Sequence, residues 1–157
     1  MRIVSETDAG FLHALMNDES VMAALNEVST TASAWAEAIA EWANDGDEED
    51  SIIRNGDTPV GWVGVNGLSS EDKSAYIKMI ALLPAYQGRG IGERVVRDVI
   101  EDLKMRGYTS LNLFTDQANA QAQRCYTKCG FEIVGELKQT MSNGTIVSRY
   151  RMERKLK

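Results

Sequence analysis

The 157 residues carry 43% hydrophobic and 25% charged side chains, the balance of a globular protein with room for a core, and the whole chain reads as one domain. No stretch approaches the ~20 apolar residues of a membrane helix, and Glu6 and Asp8 stand close behind Met1-Arg2-Ile3-Val4 where a secretory leader would run apolar, so a cytoplasmic protein is expected. A formal net charge of −6 argues against a nucleic-acid partner and mildly favours cationic ones.

Arg2 to Val4 reads as a short first strand, after which Thr7 or Asp8 can cap a helix carrying Phe11, Leu12, Leu15 and Met16. A second helical segment follows over about Ser20 to Leu25. A third, from near Ser33, aligns Trp35, Ile39 and Trp42 on one side. The acidic run from Asp45 to Asp50 reads as a solvated loop. Ser51 to Arg54 and Val60 to Val65 are strand-like on either side of the hairpin signal Asn55-Gly56-Asp57. Beyond a polar turn at Ser69 to Lys73, Ala75 to Leu83 is apolar enough for an inner strand, which Pro84 ends. After Gly90, Ile91, Val95, Val99 and Leu103 recur at every fourth position with Val96 and Ile100 beside them, the stripe of an amphipathic helix. Lys104, Arg106 and Gly107 suit its carboxyl end. Ser110 to Thr115 follows as a strand, Asn119 to Cys129 as a helix, and Phe131 to Lys138 as a strand. Asn143-Gly144 then turns the chain into a last strand near Val147 to Met152. Cys125 and Cys129 lie four apart on one helical segment, as buried thiols rather than a bridge or metal site, and no metal is expected. His13, the only histidine, has no partner pattern and is assigned no role.

The run Gln87-Gly88-Arg89-Gly90-Ile91-Gly92 lies where that inner strand meets the amphipathic helix. Amides at a helix start are unpaired and the dipole adds about half a positive charge there, so anions bind such places. Glycine allows close approach and positive φ, and Arg89 offers a forked cationic donor. No Walker-type Lys-Ser/Thr follows the glycines, Glu93-Arg94 standing there instead, and no acidic residue follows in a Rossmann-like context.

Downstream, Asn119, Ala122 and Tyr126 share a helix face, followed by the pair Gly130-Phe131. By the residues alone, Asn119 reads as a helix-start residue and Tyr126 as an amphipathic aromatic. Together with the preceding run, however, the pattern resembles the GNAT superfamily of N-acetyltransferases over most of the chain. Gln87-x-x-Gly90-x-Gly92 is similar to that family's pyrophosphate signature. Asn119-x-x-Ala122 with Tyr126 and Gly130-Phe131 is similar to its second acetyl-CoA motif.

The resemblance implies an α/β fold whose mixed central sheet, of about seven strands flanked by helices, splays between the fourth and fifth strands. It implies acetyl-CoA as cosubstrate, with its pyrophosphate on Gln87, Gly88, Arg89, Gly90, Ile91 and Gly92 and its pantetheine arm beside the backbone of Ile80, Ala81 and Leu82. Asn119 would hydrogen-bond the cosubstrate, and the catalytic Tyr126 would aim its hydroxyl at the thioester sulfur. That geometry suits aminolysis of a thioester: a backbone N–H near Leu82 can stabilise the developing oxyanion, and a phenol can protonate the leaving thiolate. The resemblance also implies a possible homodimer.

The implied activity is direct transfer of acetyl to a primary amine, with no covalent enzyme intermediate. The acidic surface favours a small cationic acceptor, such as a polyamine or amino sugar. A protein N-terminus, a lysine, or a non-catalytic acyl-CoA-binding module are the alternatives. In the branch acting on peptide α-amines a glutamate often lies five residues before the motif asparagine, and here Phe114 stands there, leaving Asp116 and Glu132 as substitute bases. Acceptor pockets of the family are usually built from the early helices and the last hairpin, which makes Trp35, Trp42 and the Asp45 to Asp50 run candidates for a cation site. Packing of the third helix by those tryptophans is the competing expectation.

Overall fold

The computed structural model describes residues 1–25 and 27–156. Its strands are β1 (Arg2–Ile3), β2 (Glu49–Asn55), β3 (Thr58–Asn66), β4 (Ser74–Leu82), β5 (Ser110–Asp116), β6 (Glu132–Thr140) and β7 (Ile146–Lys155). They form one sheet in the order β1-β2-β3-β4-β5-β7-β6. Every neighbouring pair is antiparallel except β4 with β5. The helices are α1 (Ala9–Met16), α2 (Glu19–Leu25), α3 (Ala32–Asn44), α4 (Ile91–Met105) and α5 (Ala120–Lys128). Among the described residues no helix is long and apolar enough to cross a membrane.

Alternation along the strands divides the core between the two faces of the sheet. On one face Ile53, Val63, Ile77 and Leu111 pack against Val95, Val96, Val99 and Ile100 of α4. On the other, Ile52, Trp62 and Ala81 meet Leu12 and Leu15 of α1 and Ile39 of α3. The stripe of α4 is buried at all six apolar positions, and Gly107, at φ 85°, ends the helix as its sequence position requires. There the amides of Gly107 and Tyr108 return to the carbonyls of Lys104 and Leu103.

Two local expectations are corrected. Neither Thr7 nor Asp8 caps α1 through its side chain, because the Asp8 carboxylate is forked by Arg2 at 2.6 and 2.7 Å and accepts the Ser5 N–H at 2.8 Å. The Asp45 to Asp50 run is not all solvated loop. β2 already begins at Glu49, and Asp50 is buried. Asp47 accepts from the Gly67 and Ser69 amides and so ties the run to the turn between β3 and β4. Space for Asp50 comes from Gly64 opposite it on β3, where a Cβ would lie 2.6 Å from Asp50 Oδ1.

Candidate active site

A 3-10 turn, Pro84–Tyr86, carries the chain from β4 into the glycine run. Gln87 ties the run back to the strand, its Nε2 donating to the Leu82 carbonyl at 3.0 Å. Gly88 and Gly90 take left-handed φ of 72° and 79°, and the first intrahelical bond runs only from Arg94 N–H to Gly90 O. The amides of Ile91, Gly92 and Glu93 are thus orphan donors of a helix start. Nothing lies within 4 Å of where a Cβ would stand on Gly88, Gly90 or Gly92, so the turn is an open cradle. The Ile91 side chain itself is buried in the core, leaving only its backbone to face a ligand. Arg89 rests over the Tyr86 ring at 5.3 Å. Arg124 and Lys128 of α5 add positive charge to the cradle's cavity, about 410 Å³ in volume.

The second part of the site is the splay of the sheet. β4 and β5 pair only at Ser74↔Ser110, Ala75↔Leu111 and Tyr76↔Asn112. The buried Asn112 clips this junction: its amide donates to Ser74 Oγ at 3.0 Å and the Ala75 carbonyl at 3.2 Å, while its Oδ1 accepts from Arg151 at 2.8 Å. Past Tyr76 the strands part. β4 carries a bulge there, since Val65 pairs with Ile77 and Gly64 with Met79, which leaves Lys78 as the extra residue. Arg149 from β7 donates to the Phe114 carbonyl at 2.9 Å and draws β5 away. Ile80 and Leu82 are half-buried beside the gap, and Ala81 packs into the opposite core. The cavity opened by the splay has a volume of about 520 Å³.

Helix α5 joins the two parts. Asn119 is its N-cap, Oδ1 accepting from the Ala122 amide at 3.0 Å, which leaves the side-chain NH₂ for a ligand. Asn119 and Ala122 line both cavities, so cradle and splay form one groove. Gly130, at φ 89°, ends the helix, and Phe131 plugs the core edge-on to Tyr126 with ring centroids 5.9 Å apart. This packing sets Tyr126 on the wall of the splay. Burial pushes its phenol up to about 12, and among the described residues its hydroxyl has no hydrogen-bond partner. Cys125 and Cys129 are free thiols, both raised in pKa by burial, and therefore poor nucleophiles.

Of the candidate bases, Asp116 lines the splay cavity but lies 3.2 Å from Arg149 Nε. Glu132 lies elsewhere, lining a separate recess with Arg97, Lys128 and Arg154. Phe114 stacks on Tyr76 at 5.9 Å. Sequence reasoning missed Glu27, a carboxylate of the segment between α2 and α3 that lines the cavity and accepts from Ser142 Oγ at 2.5 Å. Among the described residues Glu27 has no cationic partner. Its signal lay only in position, an acid just past the early helices.

Trp35 and Trp42 are not on this wall. They pack α3 onto Trp62 of β3, with centroids 5.6 and 5.3 Å from its ring. The link to the cavity is Lys78, which lines it and sends its ammonium toward Trp42, Glu48 and Asp50. Burial, aided by the Glu48 carboxylate and opposed by Lys78 and the Trp62 N–H, pushes Asp50 up to about 7.

Orphan amides at an open cradle, an unpaired strand edge and a protonated phenol, in that order along one groove, fit the pyrophosphate, the amide-bearing arm and the thioester of acetyl-CoA. Comparison with known proteins identifies the family. The family model described as "Acetyltransferase (GNAT) family" matches residues 12–131. The N-alpha-acetyltransferase RimI of Mycobacterium tuberculosis is 39% identical over 83 residues, and the match spans 52% of this chain and 51% of that protein. A mycothiol acetyltransferase of Brachybacterium faecium is 32% identical over 92 residues, 57% of this chain but only 28% of the relative. The chain thus spans about half or less of the length of these two relatives. In three dimensions the spermidine N-acetyltransferase of Vibrio cholerae, crystallised with CoA and spermine, superposes with a TM-score of 0.88 over 99% of this chain and 94% of that one. At 21% identity this is a likeness of fold.

Proposed function

Because the chain belongs to the GNAT family of acetyltransferases, we propose that it transfers the acetyl group of acetyl-CoA directly to a primary amine. The observation that carries this reading is the continuous groove, with the glycine cradle at one end and the Tyr126 hydroxyl in the splay at the other. Acetyl-CoA supplies an activated acyl carbon. Gly88 through Gly92 bind its pyrophosphate by backbone amides, the free edge of β4 from Ile80 to Leu82 aligns its arm, and Asn119 holds it from α5. As the amine nitrogen bonds to the acyl carbon, a backbone N–H of that edge faces the charge building on oxygen. The carbon–sulfur bond breaks, Tyr126 donates a hydrogen bond to the departing sulfur, and the proton lost by the acylated nitrogen passes through solvent to that thiolate, giving the amide and free CoA thiol.

The amine must arrive neutral. At pH 7 this costs about 4.6 kcal/mol for an alkylamine of pKa ~10.4 and about 1.4 kcal/mol for an α-amine near 8. Glu27, lacking a cationic partner among the described residues, holds the incoming ammonium and takes up its proton, directly or through water. We favour a small cationic amine, an amino sugar or a polyamine, because Glu27 and the net charge of −6 attract cations. A peptide α-amine is the second reading. The relative named as an N-alpha-acetyltransferase favours it, while Phe114 in the place of a glutamate weakens it.

Thiol release from acetyl-CoA, measured against amino sugars, polyamines, amino acids and peptides, tests turnover and acceptor class together. Saturable release with a small amine is expected. Binding of acetyl-CoA without acetylation of any member of the panel would identify a non-catalytic binding module.

A further inference from the structure

The Lys78 ammonium sits in a structure of its own. It lies 4.6 Å from the Trp42 ring centroid and 5.4 Å from that of Trp62, 3.5 Å from Asp50 Oδ1, and in contact with Glu48. The two indoles stack at 5.3 Å, and the Trp62 N–H fixes Asp50 Oδ1 at 2.9 Å. Gly64 clears the floor, since a Cβ there would lie 3.0 Å from Lys78 Cε. Two aromatic faces and two carboxylates are the parts of a receptor for alkylammonium ions. The Asp50 side chain is only 1% exposed, and its Oδ2 is buried with no donor among the described residues, so the receptor has unused accepting capacity. Lys78 reaches it along the wall of the splay cavity, and Trp42, Glu48 and Asp50 also line a second recess of about 420 Å³ on its far side.

We infer that Trp42, Trp62, Glu48 and Asp50 form an ammonium subsite behind the wall of the splay cavity, and that Lys78 fills it as a tethered occupant, which within the proposed class of small amines selects those with a single ammonium, such as an amino sugar, over polyamines. The inference rests on the proposed amine acetylation for its consequence, but not for its binding claim. A free diamine competes for the subsite against a cation that the chain holds beside it, and loses through effective concentration. Any second charge that does enter meets the Lys78 ammonium itself. A lysine serving only as a salt bridge predicts that its removal leaves the choice between monoamine and diamine unchanged.

The binding claim is tested without acetyl-CoA. Butylammonium chloride is titrated into the wild type, Lys78→Ala and Lys78→Arg, following tryptophan fluorescence and the thermal midpoint, with potassium chloride at equal ionic strength as reference. Lys78→Ala is expected to show a saturable fluorescence change and a raised midpoint that potassium chloride does not reproduce, while the wild type and Lys78→Arg show neither. No saturable response in Lys78→Ala, or the same response in the wild type, overturns the inference. Should Lys78→Ala not fold, Lys78→Gln, which keeps the stem and loses the charge, takes its place.

The consequence is read from turnover of butylamine against butane-1,4-diamine. Wild type is expected to prefer the monoamine by at least tenfold in kcat/KM, and Lys78→Ala to narrow this below threefold. Equal use of both by the wild type refutes the restriction. Turnover of neither amine counts against the proposed acceptor class, and the fluorescence titration then decides the subsite by itself.

Discussion

Replacing Tyr126 by Phe removes one oxygen from the groove, and the structure bounds what that loss can do. Burial raises the phenol to about 12, whereas a thiol titrates near 8.5. Complete proton transfer from Tyr126 to the leaving thiolate is therefore uphill by roughly 3.5 pKa units, or about 4.8 kcal/mol at 1.36 kcal/mol per unit. In the proposed reaction Tyr126 is therefore expected to serve chiefly as a hydrogen-bond donor to a charged sulfur. Such a bond contributes about 1.5–3 kcal/mol, which at 1.36 kcal/mol per tenfold predicts a fall in kcat of about 10- to 150-fold. The edge-on packing with Phe131 stays, because the ring is unchanged. Thiol-release kinetics of Tyr126→Phe, beside calorimetric titration with CoA, provide the assay, and CoA affinity should hold within about threefold as only a neutral contact to sulfur is lost. Full proton donation would add an alkaline limb well below pH 11 to the wild-type profile and a loss beyond a thousandfold in the variant. Either result, or a kcat within twofold of wild type, would refute this assignment of Tyr126.

Other consequences are open to direct measurement. Gly92→Ala adds a methyl into open space in the first turn of α4; it should keep or raise stability by about 0.5–1 kcal/mol and weaken CoA binding at least tenfold by calorimetry, and unchanged affinity would remove Gly92 from the cradle. Asp50 is raised from an unfolded value near 3.9 to about 7, so its contribution to stability is fully present below about pH 4 and lost as pH rises through 7. Denaturant titrations across that range should show wild type losing up to about 4 kcal/mol relative to Asp50→Asn, with parallel curves counting against a raised Asp50. Asn112→Ala leaves the Ala75 carbonyl and Arg151 without a buried partner, which should lower the unfolding free energy by about 2–4 kcal/mol and weaken CoA binding; normal stability would show that the clip does not hold the junction.

The framework was legible because it rests on periodic burial and on glycine chemistry. Ile91, Val95, Val99 and Leu103 announce α4, Gly107 its end, and Gly130-Phe131 the end of α5, each through local geometry that a sequence carries openly. The groove could be anticipated for the same reason, since backbone amides at a helix start need only the right turn. The surroundings of Lys78 and the candidate bases were not legible. Nothing local separates Asp50 from the acids before it, because its burial depends on Gly64 and Trp62 across a strand pair. Lys78 reads as a polar residue in an apolar strand until the bulge turns it toward Asp50. Glu132 looked as suitable a base as Asp116, and only the pairing of β6 with β7 at the sheet's edge carries it away.

The three residue pairs between β4 and β5 have a thermodynamic corollary. They are a narrow seam between two leaves of four and three strands, and a ligand lying in the opening beyond it touches both leaves at once. Occupancy then works as a fastener. At a ligand concentration a hundred times its dissociation constant, the folded state gains about 2.7 kcal/mol. If acetyl-CoA binds there as proposed, a melting temperature of this protein will report, in part, the occupancy of the groove, and only samples of known occupancy can be compared.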